Sequence, residues 1–247
     1  MNMRSAIYGA GSLGTILGAF ITKKGGQVDL INHNKAHVAA LRGKGAKVVG
    51  TVELTQPVTA LTEEEMTGEY DAIFLMTKQL DNAAVVTMLK GFLAPDGVIV
   101  TLQNGLPEML ISEIVGEGRV LGCTVAWGAT MLGPGVCELT SSPDSLTFSL
   151  GAVSKEVNGH FAEVKALSFM IIPIAIRKHA RLKASMLQDL ERGKKTEVDA
   201  INGSVSAYGR KVGCPTPMND KVVEIIHSIE SGSLAPSFDN LRLFAEV

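Results

Sequence analysis

The sequence predicts an α/β protein: an N-terminal Rossmann-type, doubly wound sheet over residues 1–153 and a second, smaller, all-helical domain over residues 154–247. Three observations predict it. A glycine turn, Gly9-Ala10-Gly11-Ser12-Leu13-Gly14, follows directly on the apolar run Ala6-Ile7-Tyr8. Strand-like and helix-like segments then alternate at the spacing of a parallel sheet. Beyond about Val153 the patterning is helical to the end of the chain.

The stretch from Met3 to Tyr8 reads as a short buried strand, and Thr15 to Lys24 as a helix with small residues, Gly18 and Ala19, where it would press on the sheet. Gly25-Gly26 stops that helix. Gln27 to Asn32 reads as the second strand and completes a βαβ unit. Ala46 to Gly50 and Thr51 to Leu54 read as short strands, and Thr62-Glu63-Glu64-Glu65 as a capped, acidic helix start. Asp71 to Thr77 is a buried strand, followed by a helix from about Asp81 to Leu93, a turn at Pro95-Asp96-Gly97 and a strand from Val98 to Leu102. From about Arg119 the pieces shorten (VLGCTVAW, then VCELTS after Gly133-Pro134-Gly135, then SLTFSLGAV) and suggest an antiparallel extension that closes the first domain.

Composition narrows the partners. Net charge is −2 and the pI is near 6.2, with no cluster of Lys and Arg interleaved with aromatics, so a nucleic-acid partner is not expected. The three cysteines, Cys123, Cys137 and Cys214, are odd in number and lack metal-ligand spacing, which suits reduced thiols in a cytoplasmic protein without a metal. No signal peptide or membrane span is expected, because the early apolar run is broken by glycines and ends in Lys23-Lys24. The apolar run from Ala166 to Ile176 is too short to span a bilayer and contains Pro173.

The candidate site begins at the glycine turn. In a βαβ unit the first glycine permits a tight turn, the second lets a pyrophosphate approach the backbone, and the third lets helix and strand pack. Those roles fall to Gly9, Gly11 and Gly14, with the N–H groups of Ser12 and Leu13 at the helix start facing the phosphates. An NAD-preferring site places Asp or Glu near the end of the second strand. Here the residues are Asn32-His33-Asn34-Lys35, which favours NADP, and Asp29 lies too early in the strand to serve. Ligands of an open α/β sheet sit outside the carboxyl ends of its strands. Lys78 and Gln103-Asn104-Gly105 stand at two such ends. A strand-end lysine is also an ordinary solvated charge and Asn-Gly an ordinary turn, so both readings stand. Farther on, Ser185, Gln188, Asp189, Glu197, Asp199 and Asn202 interleave with apolar residues at helical spacing.

The GAGSLG start, Lys78, LQNG at 102–105, GPGVCELT, and the block SMLQDLERGKKTEVDAING followed by GCPTPMN together resemble the ketopantoate reductase (2-dehydropantoate 2-reductase) family. The resemblance covers nearly the whole first domain and about residues 184–230. It implies an NADPH-binding Rossmann domain joined to a helical domain, with hydride delivered to a 2-oxo acid in the interdomain cleft. It also implies that Lys78 and Asn104 line the cofactor and substrate region, that Ser185 and Glu197 contact substrate, and that Asn104 and Glu197 serve catalysis. The family's arginine for the 2′-phosphate aligns with His33.

One departure stands out. The family carries a catalytic lysine, followed by asparagines, on a long helix in a W-x-K-x-x-x-N pattern that the stretch from Glu156 to Ala184 does not match. Lys165, Lys178 and Lys183 are present there in other surroundings. The expectation is a chain that lacks several helices of the second domain, including the general acid. The apolar surface so uncovered would suit a homodimer. Three functions are open: the reductase itself, a catalytically impaired dinucleotide-binding relative, and a dehydrogenase for another hydroxy acid or imine.

Overall fold

The computed structural model describes residues 3–116, 118–142, 148–152 and 185–246. The chain divides into two compact units, Met1–Gln103 with Pro107–Ser154, and Asn104–Leu106 with Lys155–Val247.

The first unit is built on a seven-stranded sheet. Its strands are β1 (Ser5–Tyr8), β2 (Val28–Ile31), β5 (Thr59–Leu61), β6 (Tyr70–Leu75), β7 (Leu93–Thr101), β8 (Val120–Val125) and β11 (Phe148–Ala152), in the spatial order β11-β8-β7-β6-β1-β2-β5. All neighbours pair in parallel except β8 and β11. The six parallel strands thus have the 3-2-1-4-5-6 order of a doubly wound dinucleotide fold. A parallel sheet must bury both faces, and alternation along β1 does so: Ala6 and Tyr8 join one core cluster, Ile7 the other. The first cluster takes Val86 and Leu89 from α3 (Asn82–Lys90) and Ile111 from α4 (Glu108–Val115). The second takes Ile16 and Ala19 from α1 (Ser12–Lys23) and Val38 and Leu41 from α2 (Lys35–Lys44).

A second sheet of four strands has the order β4-β3-β10-β9, with β3 Ala46–Gly50, β4 Leu54–Gln56, β9 Ala129–Gly133 and β10 Val136–Leu139. Its Val48, Cys137 and Leu139 extend the core cluster beneath α1 and α2.

Four local expectations are corrected. The segment after Arg119 is not a wholly antiparallel extension, since β8 runs parallel to β7, pairing Ile99 with Val120. The physical reason is α4, passed over in the sequence: a parallel neighbour needs a crossover, and this helix supplies it. Strands β9 and β10 leave the main sheet altogether for β3 and β4. Pro95-Asp96-Gly97 does not separate two elements but lies inside β7, where the register with β6 shifts between Tyr70 and Ala72. A bulge accommodates a proline that cannot donate to the ladder. The strand expected at Thr51–Leu54 begins at Leu54, after Gly50 turns the chain at φ 99°. Glu63–Glu65 is a single 3₁₀ turn, closed by a capping box between Thr62 and Glu65, and not the start of a longer helix.

In the second unit every described element is helical. Ser185–Glu191 forms α5, a π-helical turn at Asp199–Gly203 leads into α6 (Ser204–Val212), α7 spans Pro217–Glu230, and a 3₁₀ segment covers Phe238–Glu246. Proline at the first position starts α7, and Gly213 in the left-handed region ends α6.

Candidate active site

The three glycines of the turn differ in what surrounds them. Gly9 has φ 94°, and a Cβ there would lie 2.7 Å from the backbone nitrogen of Thr77, so the turn is pressed against the end of β6. A Cβ on Gly14 would lie 2.9 Å from Ile7 Cγ2 and from the Gly9 carbonyl oxygen, so α1 is packed tightly on β1. At Gly11 the nearest atom would be 3.9 Å away. The middle glycine alone keeps open space where a phosphate would approach. No side chain caps α1 and no acidic residue stands in its first turn. The N–H groups of a first helical turn have no intrahelical acceptor, and the helix dipole makes that end favourable for an anion. Measured by sterics and by donors, the turn fits a dinucleotide pyrophosphate.

At the end of β2, Asn32 ties the turn together. Its Nδ2 donates to the Ala10 carbonyl at 2.9 Å, and its Oδ1 accepts from the Asn34 N–H at 2.8 Å. Asn34 in turn accepts from the His37 N–H at 3.1 Å and caps α2. His33 and Lys35 are exposed beside it. Asp29 points elsewhere: it accepts from the Tyr70 hydroxyl at 2.9 Å and meets Arg4 at 3.4 Å, at the amino end of the sheet. The acidic turn after β5 is internally balanced. Glu65 pairs with Arg42, and the Arg42 guanidinium with the Thr62 N–H pulls its carboxyl down to about 2. The Thr62 hydroxyl, the backbone N–H and the Lys35 charge lower Glu64.

The ends of β6 and β7 meet through Gln103. Its Nε2 donates to the Thr77 carbonyl at 2.9 Å and to Asn82 Oδ1 at 2.9 Å, while Thr101 donates to its Oε1 at 3.2 Å. Lys78 and Asn104, the residues following these two tied positions, are both exposed. Within the first unit the glycine turn, Thr77-Lys78 and Gln103 thus follow one another along the carboxyl edge of the sheet.

In the second unit Ser185 opens α5 and is exposed, whereas Asp189 four residues on is buried. Thr196, Glu197 and Val198 are buried in succession, Glu197 at 6% exposure. Thr196 holds the segment from both sides, its N–H donating to Glu230 at 2.7 Å and its hydroxyl accepting from the Val198 N–H at 3.2 Å. The π-helical turn follows at once; such turns are rare and recur at functional sites. Within it Asp199 lies 3.1 Å from His227, both largely exposed, and Asn202 donates to Asn219 at 3.0 Å. Lys165, Lys178 and Lys183 lie outside the described residues.

The sequence reading missed Gln103 as a brace, Asn82, and above all His37. His37 sits with Val38 and Leu41 on the buried stripe of α2, and a histidine at a core position was the available signal. Among the described residues no group of His, Cys, Asp and Glu is arranged to hold a metal, and no helix is long and apolar enough to cross a membrane.

Strand order and glycine turn together define the class, a Rossmann-type fold with a sheet edge shaped for a dinucleotide. The family model for ketopantoate reductase PanE/ApbA matches residues 5–152, and that for the ketopantoate reductase PanE/ApbA C terminal matches residues 155–230. This chain belongs to the ketopantoate reductase family. The 2-dehydropantoate 2-reductase of Streptococcus pyogenes serotype M3 is 24% identical over 298 aligned positions, covering 91% of this chain and 97% of that protein. The enzyme of the same name from Pyrococcus abyssi is 27% identical over 290 positions, covering 88% and 94%. Both alignments exceed the 247 residues present here, so the relatives carry segments that this chain lacks. In fold, the crystal structure of 2-dehydropantoate 2-reductase from Geobacter metallireducens is similar with a TM-score of 0.76 at 19% identity, covering 94% of this chain and 100% of that one. A ternary structure of D-mandelate dehydrogenase with NADH and anilino(oxo)acetate is similar with a TM-score of 0.75 at 20% identity, covering 93% and 99%.

Proposed function

We propose that this chain is an NADPH-dependent reductase of a 2-oxo acid, converting 2-dehydropantoate to pantoate by hydride transfer. The observation that carries the reading is the glycine turn of a family member in which Gly9 and Gly14 are sterically closed and Gly11 is open. The turn and the Ser12 and Leu13 N–H groups hold the pyrophosphate, and His33 with Lys35 meets the 2′-phosphate. Lys78 and Asn104 line the nicotinamide and substrate region. Bound nicotinamide supplies the hydride that reduces the 2-oxo carbon. As negative charge grows on the carbonyl oxygen, a positioned donor must stabilise it and provide a proton. The Asn104 amide can stabilise that charge by donating a hydrogen bond but gives up no proton; the proton comes from one of Lys165, Lys178, Lys183 and Lys78, or from water. Ser185 and the buried Glu197 hold the substrate's polar groups, with residues 154–247 as the substrate domain and 1–153 as the dinucleotide domain. The cytoplasm is the setting that suits three unpaired thiols. A homodimer belongs to the same reading, because Val205, Tyr208 and Val212 form an exposed stripe on α6.

The length difference from the relatives supports a second reading, a dinucleotide-binding protein of impaired catalysis. The test is NADPH absorbance with purified protein and 2-dehydropantoate, then with a panel of other 2-oxo acids and imines. Oxidation dependent on 2-dehydropantoate supports the first reading. Dinucleotide binding without turnover of any compound supports the second, and turnover of a different compound alone replaces the substrate.

A further inference from the structure

Three donors converge on one carbonyl in the glycine turn. The Ala10 oxygen accepts from Asn32 Nδ2 at 2.9 Å, from the Thr15 hydroxyl at 3.1 Å and from His37 Nε2 at 3.0 Å. Thr15 and His37 are buried, and their side chains also lie 3.1 Å apart. The histidine's role follows from its other nitrogen. Nδ1 accepts the Gly135 N–H at 3.0 Å, so the neutral ring carries its proton on Nε2, the atom aimed at Ala10. Burial favours that neutral ring, pushing the His37 pKa below its ordinary 6.5 against the raising effect of the Ala10 bond. The other titratable group in the cluster is Cys137 on β10, which touches Thr15 and is pushed up to about 11 by burial.

Gly135 is not an incidental partner. It lies with Pro134 in the two-residue turn between β9 and β10, at φ 74°, and a Cβ on it would come 3.1 Å from Ala40 Cβ on α2. The Gly-Pro-Gly segment therefore locks the second sheet against α2 and sets the tautomer of the histidine.

We propose that His37 is a positioning residue for dinucleotide binding: its Nε2–H, with Thr15 and Asn32, holds the Ala10 carbonyl toward the protein interior and leaves the phosphate face of the turn to N–H groups. The inference rests on the cofactor reading above. A carbonyl oxygen turned to that face would repel a phosphate, and turning it there would strand buried donors that now have an acceptor.

Two conservative variants separate this role from packing. His37→Gln keeps a donor near the position of Nε2, and His37→Asn keeps an acceptor near the position of Nδ1 but offers Ala10 nothing. Calorimetric titration with NADPH, amide NMR of residues 9–14 without ligand, and thermal melting are measured on both. The expected result is His37→Gln within about threefold of wild-type affinity and His37→Asn about tenfold weaker than wild type, a loss near 1.4 kcal/mol for the latter. The resonances of Ala10 to Leu13 move in His37→Asn alone, while the two melting temperatures fall alike. Equal affinity loss in both variants, in step with melting, would overturn the proposal, as would unchanged affinity in both. If wild-type protein binds no dinucleotide yet the turn resonances move in His37→Asn alone, the cofactor reading fails and His37 still positions the turn. If they move in neither variant, His37 has no such role.

Discussion

At the scale of single residues, the glycine turn shows why three identical residues are not equivalent. Gly11→Ala places its Cβ in open space, 3.9 Å from the nearest atom, so folding should survive while dinucleotide affinity drops by about tenfold or more. Gly9→Ala meets both a positive φ and a 2.7 Å contact, and should destabilise the fold by about 2 kcal/mol or more. Paired melting curves and NADPH titrations read this difference directly, and equal effects from the two variants would contradict it. The neighbouring residues carry a prediction about specificity. Asn32 is committed to Ala10 and Asn34, which leaves exposed His33 and Lys35 at the end of β2 as the groups that the proposed function assigns to the 2′-phosphate. NADPH should therefore bind more tightly than NADH, and the preference should shrink as salt shortens the screening length below about 8 Å. Equal or better NADH affinity by calorimetry would reject it. The glycine spacing was legible because each constraint is local to a few backbone atoms. The commitment of Asn32 was not, because its partner is a carbonyl 22 residues earlier.

Among the elements, α1 is held by its small residues as much as by its large ones. A Cβ on Gly18 would lie 2.6 Å from Leu30 Cδ1, and Leu30 is fully buried, so its side chain would have to shift within the core. Alanine gains about 1 kcal/mol over glycine inside a helix, but overpacking a closed core costs about 1–3 kcal/mol. Gly18→Ala should on balance lower stability in urea denaturation, by up to about 2 kcal/mol. Helix α2 carries a pH signature through His37. Its folded pKa lies below the 6.5 of the unfolded chain, so near and below that value the unfolded state binds the extra proton. Its stabilising contribution is complete above 6.5 and is lost as pH falls toward the folded pKa. Melting temperatures taken from about pH 7.5 to about pH 5 should fall more steeply for wild type than for His37→Gln. An unchanged slope would show that folding does not lower the pKa of His37. The βαβ start was legible in the sequence because the glycine turn and both strands lie within 31 residues. The parallel direction of β8 was hidden behind α4, an eight-residue helix just past an Asn-Gly turn, and the second sheet joins β3 to β10 across most of the first unit, a pairing with no local signal.

For the whole molecule, the question is what a shortened family member can still do. The first unit has its strand order, its open Gly11 and its braced strand ends, so it retains what dinucleotide binding asks of it. The family's proton donor belongs to a helix for which residues 156–184 show no matching pattern, and the aligned relatives are longer. Losing a positioned acid costs about 10²–10⁴ in rate, while ground-state binding of the cofactor need not change. The protein should therefore bind NADPH normally and reduce 2-dehydropantoate slowly, with kcat depressed far more than affinity. Should Lys165, Lys178 or Lys183 have taken over the role, turnover will be appreciable, and one of three single Lys→Ala variants will abolish it at unaltered NADPH affinity. Those three lysines lie outside the described residues, so kinetics and not geometry must choose among them. Fast turnover that survives all three substitutions would refute the account of a missing acid and shift the role to Lys78, which follows β6 at the same sheet edge as the glycine turn.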